Sequence, residues 1–229
     1  FDDLSLAPAQ RQLVKELKKL GKPIVLVCAF NRPRVMHDIV KLADAVVYAY
    51  LPGDEGGRAV ADVLTGVVNP SGKLPFTYPA AVNDLVHYDR KHSEDLTTDF
   101  SSNGYRPEFD FGFGLSYTRF DYSHLQISKD TFSANDSLLI SVDVKNTGKV
   151  DGSEVVQLYY HDRYASITPA VKQLCAFEKI HLKAGESKEV QFVIKAEDLS
   201  FINKQLKRVT EPGDFDFYIQ QLQQHVYYQ

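Results

Sequence analysis

Residues 43–66 have the sequence ADAVVYAYLPGDEGGRAVADVLTG, in which an acidic, glycine-rich turn joins a continuous apolar run to a helical pattern. The run over residues 44–51 is typical of a parallel strand that is buried on both faces. After the turn, apolar residues recur at helical spacing at Ala59, Val60, Val63 and Leu64. This recurrence predicts a helix that ends at Gly66. A buried strand followed by a helix indicates an α/β fold with parallel strands.

The same alternation of helix and strand extends toward the N-terminus. Apolar residues at helical spacing predict a first helix, and they are Leu13, Val14, Leu17 and Leu20. A short helix is predicted over residues 34–43. Two continuous apolar runs predict parallel strands, Ile24–Phe30 and Ala45–Tyr50. The first third of the chain is therefore expected to be α/β.

The chain from Phe120 onward has the alternating pattern of β-strands. In residues 137–148 every second residue is apolar, at Leu138, Ile140, Val142 and Val144. Similar patterns occur in residues 120–127, 153–162, 171–185, 188–199, 213–220 and 225–229. Turns that contain Asn-Thr-Gly, Ala-Gly and Pro-Gly separate several of these segments. About seven strands at this spacing predict an immunoglobulin-like or fibronectin type III-like β-sandwich.

The region between the two parts, about residues 69–118, is rich in Pro, Gly, Ser and Asp. This composition is typical of loops, so we place the junction between the domains near its end. The predicted organisation is an α/β portion over residues 1–95, a linker over residues 96–118 and an all-β sandwich over residues 119–229.

Composition and charge exclude several classes of protein. The formal net charge of −4 gives no broad positive field, so neither nucleic acid nor a membrane surface is an expected partner. No apolar run approaches the ~18 residues that a membrane-spanning helix needs. The sequence begins at Phe1 without an initiator Met or a signal-peptide pattern, so we expect a processed or cut end. Cys28 and Cys175 are too few for a disulfide framework or zinc site, and we expect two free buried thiols.

The acidic turn within residues 43–66 suggests three roles. A phosphate site is excluded because Asp54 and Glu55 would repel an anion at the helix N-terminus, and because the spacing matches no phosphate-binding motif. The acid and base of a glycosidase flank the bond as a separated pair, which two adjacent carboxylates cannot do. We expect a structural role, in which Asp54 caps the helix while Gly56 and Gly57 allow close packing. A position of Asp54 and Glu55 close to a substrate is the open alternative.

Other candidate residues do not form a catalytic site. Ser116 lacks the G-x-S-x-G motif of serine hydrolases. His87 and His92 flank a polar stretch and are expected to be solvated, and the seven histidines show no metal-ligand spacing. Trp, which is frequent in sugar-stacking platforms, is absent. We expect neither a metal nor a cofactor, and the sequence contains no complete active site.

Several motifs together resemble glycoside hydrolase family 3, the group of β-glucosidases and β-xylosidases. They lie in residues 21–36, 43–79, 107–127, 145–162 and 174–192, with GKPIVLVCAFNRPRVM as the first and PEFDFGFGLSYTRFDYSHLQI as the third. The likeness therefore covers nearly the whole chain. It departs from the family pattern at Phe30 and Asn31, which replace a small residue and a glycine.

The resemblance implies a three-part enzyme with a catalytic (β/α)8 barrel, an α/β sandwich and a fibronectin type III-like module. It implies a retaining mechanism, with an Asp nucleophile from the barrel and a Glu acid/base from a loop of the α/β sandwich. Neither position is present in this sequence, because the first residues, with Asp2 and Asp3, match the segment that follows the acid/base loop. No catalytic residue is expected here, and Asp54 and Glu55 stay candidates near the substrate.

On this resemblance, residues 1–95 are the C-terminal portion of the α/β sandwich, and residues 119–229 are the fibronectin type III-like domain. We expect part of an exo-acting, β-glucosidase-like enzyme that is periplasmic or extracellular and inactive without its barrel. Its partners would be that barrel and a β-linked oligosaccharide or glycoside. The alternative is a stand-alone carbohydrate-binding or adhesion module without catalysis. The first hypothesis predicts that the parallel sheet in residues 1–70 is incomplete.

Overall fold

The structure of the protein is a computed structural model, which describes residues 4–82, 87–92 and 105–229. Asp2 and Asp3 lie outside these residues, and so does the predicted domain boundary between residues 95 and 96. Among the described residues, no helix is both long and apolar enough to cross a membrane.

The N-terminal part is an α/β unit with two parallel strands. Its elements are α1 (Pro8–Lys18), β1 (Val25–Cys28), α2 (His37–Val40), β2 (Ala45–Tyr48) and α3 (Gly56–Leu64). Strands β1 and β2 pair in parallel, with Val25 opposite Ala45 and Cys28 opposite Tyr48. Both predicted strands are confirmed, although each is shorter than predicted. Strand β2 ends at Tyr48, and two residues later the backbone turns away at Tyr50, whose φ of 54° lies in the left-handed region.

The α/β unit has a small core and exposed apolar surface. The buried members of its apolar cluster are Val14, Cys28, Met36, Ile39 and Tyr78. By contrast, Leu13 of α1 is 58% exposed, and Val25 and Val27 of β1 are 46% and 43% exposed. Parallel sheets are normally covered on both faces, and within the described residues this sheet has only its two strands. A two-stranded, partly uncovered sheet of this kind is what the hypothesis of an incomplete sheet predicts.

Residues 69–118 connect the two parts and, where described, are mostly irregular, as predicted. Tyr78 and Phe109 form an isolated antiparallel β-bridge. Backbone bonds continue from it, since the Leu74 N–H donates to Phe113 O at 2.9 Å and the Gly112 N–H donates to Leu74 O at 2.8 Å. Two extended segments of the connecting region therefore lie side by side.

The C-terminal part is a sandwich of two antiparallel sheets. Its strands are β3 (Phe120–Ile127), β4 (Thr131–Phe132), β5 (Ser137–Asn146), β6 (Gly152–Asp162), β7 (Gln173–Leu182), β8 (Ser187–Lys195), β9 (Phe201–Ile202), β10 (Arg208–Val209), β11 (Gly213–Ile219) and β12 (Leu222–Tyr228). One sheet has the order β4-β12-β11-β6-β7 and the other the order β3-β5-β8, with β9 and β10 as a separate pair. In the first sheet the short β4 pairs in parallel with β12, whereas the pairings β12-β11, β11-β6 and β6-β7 are antiparallel. The predicted strands are confirmed, and the short β4, β9 and β10 are additions.

The sandwich core comes from the alternation of the strands. Leu138, Ile140, Val142 and Val144 of β5 are all 0% exposed, as their alternating pattern predicts. They belong to one cluster of buried residues whose members all lie in the sandwich. This domain has a complete core of its own.

The two cysteines lie in different domains and are both free. Cys28 ends β1 and is buried, and Cys175 lies in β7 and is partly buried. Burial raises the pKa of the Cys28 thiol to about 11 and that of the Cys175 thiol to about 12. Both thiols are therefore protonated and unreactive at neutral pH.

Candidate functional site

The acidic turn lies at the carboxyl end of strand β2. The chain leaves the strand at Tyr48, adopts a φ of 54° at Tyr50 and a φ of 70° at Gly53, and enters α3 at Gly56. A positive φ costs glycine nothing, whereas it is strained for an aromatic residue. The turn therefore holds Tyr50 in an unusual conformation at the edge where ligands of open parallel sheets bind.

The predicted cap by Asp54 is wrong. The residue at the N-cap position of α3 is Glu55, and no side chain caps the helix. Backbone groups close the turn instead, since the Gly56 N–H donates to Gly53 O at 3.1 Å and the Ala59 N–H donates to Glu55 O at 3.0 Å. Asp54 lies one residue too early for its carboxylate to reach the first free N–H groups. Both carboxylates are exposed, close to the positive end of the helix dipole.

The two glycines of the turn differ in their environment. Gly56 is buried, and a Cβ added there would lie 2.6 Å from the Pro52 Cβ, which is a clash. Gly57 is exposed, and a Cβ there would meet no atom within 4 Å. The prediction of close packing is therefore confirmed for Gly56 and wrong for Gly57.

A cluster of aromatic side chains packs next to the acidic turn. The ring centroid of Tyr48 lies 4.5 Å from that of Tyr50 and 5.7 Å from that of Tyr78, both in edge-to-face contact. The Phe76 ring lies 6.0 Å from Tyr78 and 6.5 Å from Tyr50. The cluster continues to Phe30, Phe109 and Phe113. Such contacts hold the rings in fixed positions, with Tyr50 at 40% exposure as the outermost of the first four.

The Tyr78 hydroxyl holds the loop that follows β1 through two hydrogen bonds. Its hydroxyl donates to Arg34 O at 2.7 Å and accepts from the Arg34 N–H at 3.1 Å. Burial raises the pKa of Tyr78, so that it stays a neutral donor. The loop after β1 and the segment that carries Tyr78 therefore form one support for the carboxyl edge of the sheet.

The arrangement can contact a polyol but cannot supply a glycosidase pair. The Tyr50 ring offers an apolar face, and Asp54 and Glu55 offer exposed oxygen acceptors on the same turn. The two carboxylates are neighbours in sequence and do not flank an intervening substrate. The structure thus places Asp54 and Glu55 together on one exposed turn at the carboxyl edge of the sheet.

The structure also gives the surroundings of the other candidates from the sequence, His87, His92 and Ser116. His87 and His92 are exposed, as predicted, although the ring of His92 also stands edge-on to His161 at 5.7 Å. The Ser116 hydroxyl donates to Asn69 Oδ1 at 2.9 Å. Within the described ranges, no three His, Cys, Asp or Glu side chains are placed to hold a metal ion.

The sequence reasoning missed a buried ion pair between the domains. Lys73 Nζ lies 3.0 Å from Glu154 Oε2, with the two side chains 16% and 6% exposed. Tyr122 donates to Glu154 Oε1 at 3.1 Å. The sequence did contain a sign of this ion pair, because alternation along β6 places Glu154 on the same buried face as Val156 and Leu158. A carboxylate in that position requires a partner.

Fold and site define a two-domain chain, in which an α/β unit with an acidic turn precedes a fibronectin type III-like sandwich. The model of the glycosyl hydrolase family 3 C-terminal domain matches residues 1–117, and that of the fibronectin type III-like domain matches residues 154–223. The chain belongs to glycosyl hydrolase family 3, which confirms the resemblance found in its motifs.

Named relatives agree with this family. The chain is 41% identical to a periplasmic β-glucosidase of Salmonella typhimurium, with 95% of this chain and 30% of that protein aligned. It is 40% identical to a β-xylosidase of Formosa agariphila, with 93% and 30% aligned. A crystal structure of β-glucosidase from Listeria innocua in complex with isofagomine matches with a TM-score of 0.93 at 33% identity, over 100% of this chain and 34% of that one. The chain thus spans 30% to 34% of the length of these relatives.

Proposed function

We propose that this chain is the C-terminal portion of a retaining, exo-acting β-glycosidase of the β-glucosidase type, which removes terminal β-linked sugars. In this proposal the chain supports the catalytic (β/α)8 barrel and the loop that carries the acid/base Glu. It supplies no nucleophile of its own. Support comes from relatives that are named β-glucosidase or β-xylosidase and of which this chain matches under a third.

The observation behind the proposal is the uncovered parallel sheet. Val25 and Val27 of β1 and Leu13 and Leu17 of α1 are all between 40% and 58% exposed. Exposed apolar area costs about 25 cal/mol per Å², so a sheet of this kind is stable only when further elements cover it. The rest of the α/β sandwich, next to the barrel, is the partner that we propose for this surface.

We further propose that the acidic turn lies near the substrate in the assembled enzyme. Asp54 and Glu55 are exposed beside Tyr50 at the carboxyl edge of the sheet. Ligands of open α/β sheets bind at this edge. The two carboxylates would then contact sugar hydroxyls, while the nucleophile and the acid/base come from elsewhere.

We place the parent protein in the periplasm or outside the cell. The relative from Salmonella typhimurium is named periplasmic, and one from Dictyostelium discoideum is named lysosomal. Fractionation of cells that express the parent gene tests this placement, and activity confined to the cytosol would contradict it.

The catalytic part of the proposal is tested with aryl β-glucosides and β-xylosides. Purified residues 1–229 should release no more product than buffer, whereas the same residues within the full-length enzyme should turn over with net retention of anomeric configuration, seen by NMR of the first product. Turnover by residues 1–229 that survives repurification and is lost in Asp54→Ala or Glu55→Ala would contradict the proposal. A full-length protein without any turnover would favour the stand-alone binding module.

A further inference from the structure

A cleft separates the connecting region from the end of the sandwich. It has a volume of about 540 Å³, within the range of about 300–1,000 Å³ that is usual for small-molecule sites. Lys73 and Leu115 line it from the connecting region, and Tyr122, Glu154 and Gln220 line it from the sandwich. Clefts at domain junctions are a preferred location of ligand sites.

The floor of the cleft is held in a fixed geometry. Lys73 lies 3.0 Å from Glu154 and donates to Gly114 O at 2.8 Å, and Glu154 accepts from Tyr122 at 3.1 Å. The Glu154 side chain is only 6% exposed. A buried ion pair of this kind persists only with complete hydrogen bonding, which these contacts provide.

The tip of the hairpin between strands β11 and β12 lines the cleft. Strands β11 and β12 are joined by only two residues, Gln220 and Gln221, since Ile219 pairs with Leu222. Gln220 has a φ of 54°, where two-residue hairpins favour Asn or Gly. The two-residue turn requires this positive φ, and it places Gln220 and Gln221 at the lining of the cleft.

The charges that line the cleft balance each other. Lys73 and Arg119 are opposed by Asp121 and Glu154. A strongly anionic or cationic ligand would therefore meet a like charge on one side. The lining thus selects for a neutral ligand.

The uncharged lining residues suit a molecule with many hydroxyl groups. Gln220 and Gln221 present amide groups that can both donate and accept, and Phe120 and Leu222 present apolar surface. Hydroxyl groups around an apolar face of C–H bonds are the defining chemistry of a sugar ring. We propose that this cleft is a non-catalytic binding site for a neutral mono- or disaccharide.

The test is an NMR titration of the 229-residue chain with cellobiose, laminaribiose and xylobiose as probes. We expect saturable shifts of the side-chain amide signals of Gln220 and Gln221. Gln221→Ala should weaken binding about fivefold, which is the effect of losing one hydrogen-bonding side chain. The matched control is Gln205→Ala, at an exposed turn outside the cleft, and it should bind as the wild type does.

Two results would overturn the inference. One is the absence of shifts at both glutamines up to the solubility limit of all three sugars. The other is equal binding by Gln221→Ala and wild type, which would place any sugar elsewhere on the chain. If the chain aggregates, the same titration on the full-length protein, with its active site filled by a tight inhibitor, gives the same two tests.

Discussion

Replacement of Asp162 by Asn is expected to stabilise the sandwich at neutral pH and to have little effect at acid pH. Asp162 ends strand β6, is 7% exposed and accepts a hydrogen bond from the Tyr164 N–H at 3.1 Å. Burial raises the pKa of its carboxyl to about 6. The hydrogen bond from Tyr164 and the charge of His161 lower this pKa, and the charge of Glu211 raises it slightly.

The sign of the pH dependence follows from proton binding. In the unfolded chain the carboxyl loses its proton near pH 4, whereas in the folded chain it keeps it until about pH 6. Between these values the folded state binds more protons, so the free energy of unfolding falls as the pH rises. A pKa raised by about 2 corresponds to about 3 kcal/mol in the free energy of unfolding. This contribution is lost above pH 6. Asn cannot ionise and still accepts the bond from Tyr164, so the variant avoids this loss.

The measurement is urea denaturation of residues 119–229 between about pH 4 and pH 8, with far-UV circular dichroism as the signal. The difference in free energy of unfolding between Asp162→Asn and wild type should grow from near zero to about 3 kcal/mol. Asp136→Asn is a control of opposite sign, because hydrogen bonds from Lys129 and Ser133 lower the pKa of Asp136 to about 2. That variant should be less stable than wild type by a constant amount over this range, and it should approach wild type only when the measurement is extended from pH 4 down to about pH 2. A difference at Asp162 that does not change with pH would refute the reasoning.

Three further predictions follow from the two domains. Residues 119–229 should unfold cooperatively on their own, whereas residues 1–95 should aggregate or stay unfolded, because only the first fragment has a complete core. Gel filtration and thermal melts of the two fragments check this, and a monomeric, folded fragment 1–95 would contradict it. Gly56→Ala should cost about 1–3 kcal/mol through its clash with the preceding proline, while Gly57→Ala should gain up to about 1 kcal/mol, both measured by denaturant melts of the parent enzyme. Thiol labelling should find two free cysteines under denaturing conditions and almost none in the native state, and a disulfide between them would overturn the assignment to separate cores.

The strands were predictable from sequence wherever one face meets water. Along β5, Ile140, Val142 and Val144 are 0% exposed and alternate with the polar Ser141 and Asp143, so the period of two was visible in the residues themselves. The strands of the α/β unit were predictable for the opposite reason, because a continuous apolar run such as that in β1 suits a strand covered on both faces. In β1 the apolar composition therefore predicts cover that the described residues do not supply, since Val25 and Val27 are exposed.

Features that depend on backbone closure or on distant partners were not predictable in this way. An acidic residue before a helix favours a cap, yet at Asp54 the carbonyl of Gly53 takes the N–H that the carboxylate would have bonded. Alternation placed Glu154 inside the sandwich, but its partner Lys73 lies 81 positions earlier, in a loop with no periodic pattern. Sequence pattern shows that such a charge needs a partner without showing which residue supplies it.

The two proposed ligand-contacting regions rest on different parts of the molecule and can therefore fail separately. The acidic turn belongs to the incomplete sheet, so its position relative to a substrate depends on the strands that complete that sheet. The junction cleft is lined only by Lys73 and residues after it, most of them in a sandwich with its own core. Loss of sugar binding at the cleft would leave the glycosidase proposal intact. Sugar binding there by an inactive full-length protein would instead favour the stand-alone binding module, because the chain would then recognise carbohydrate without cleaving it.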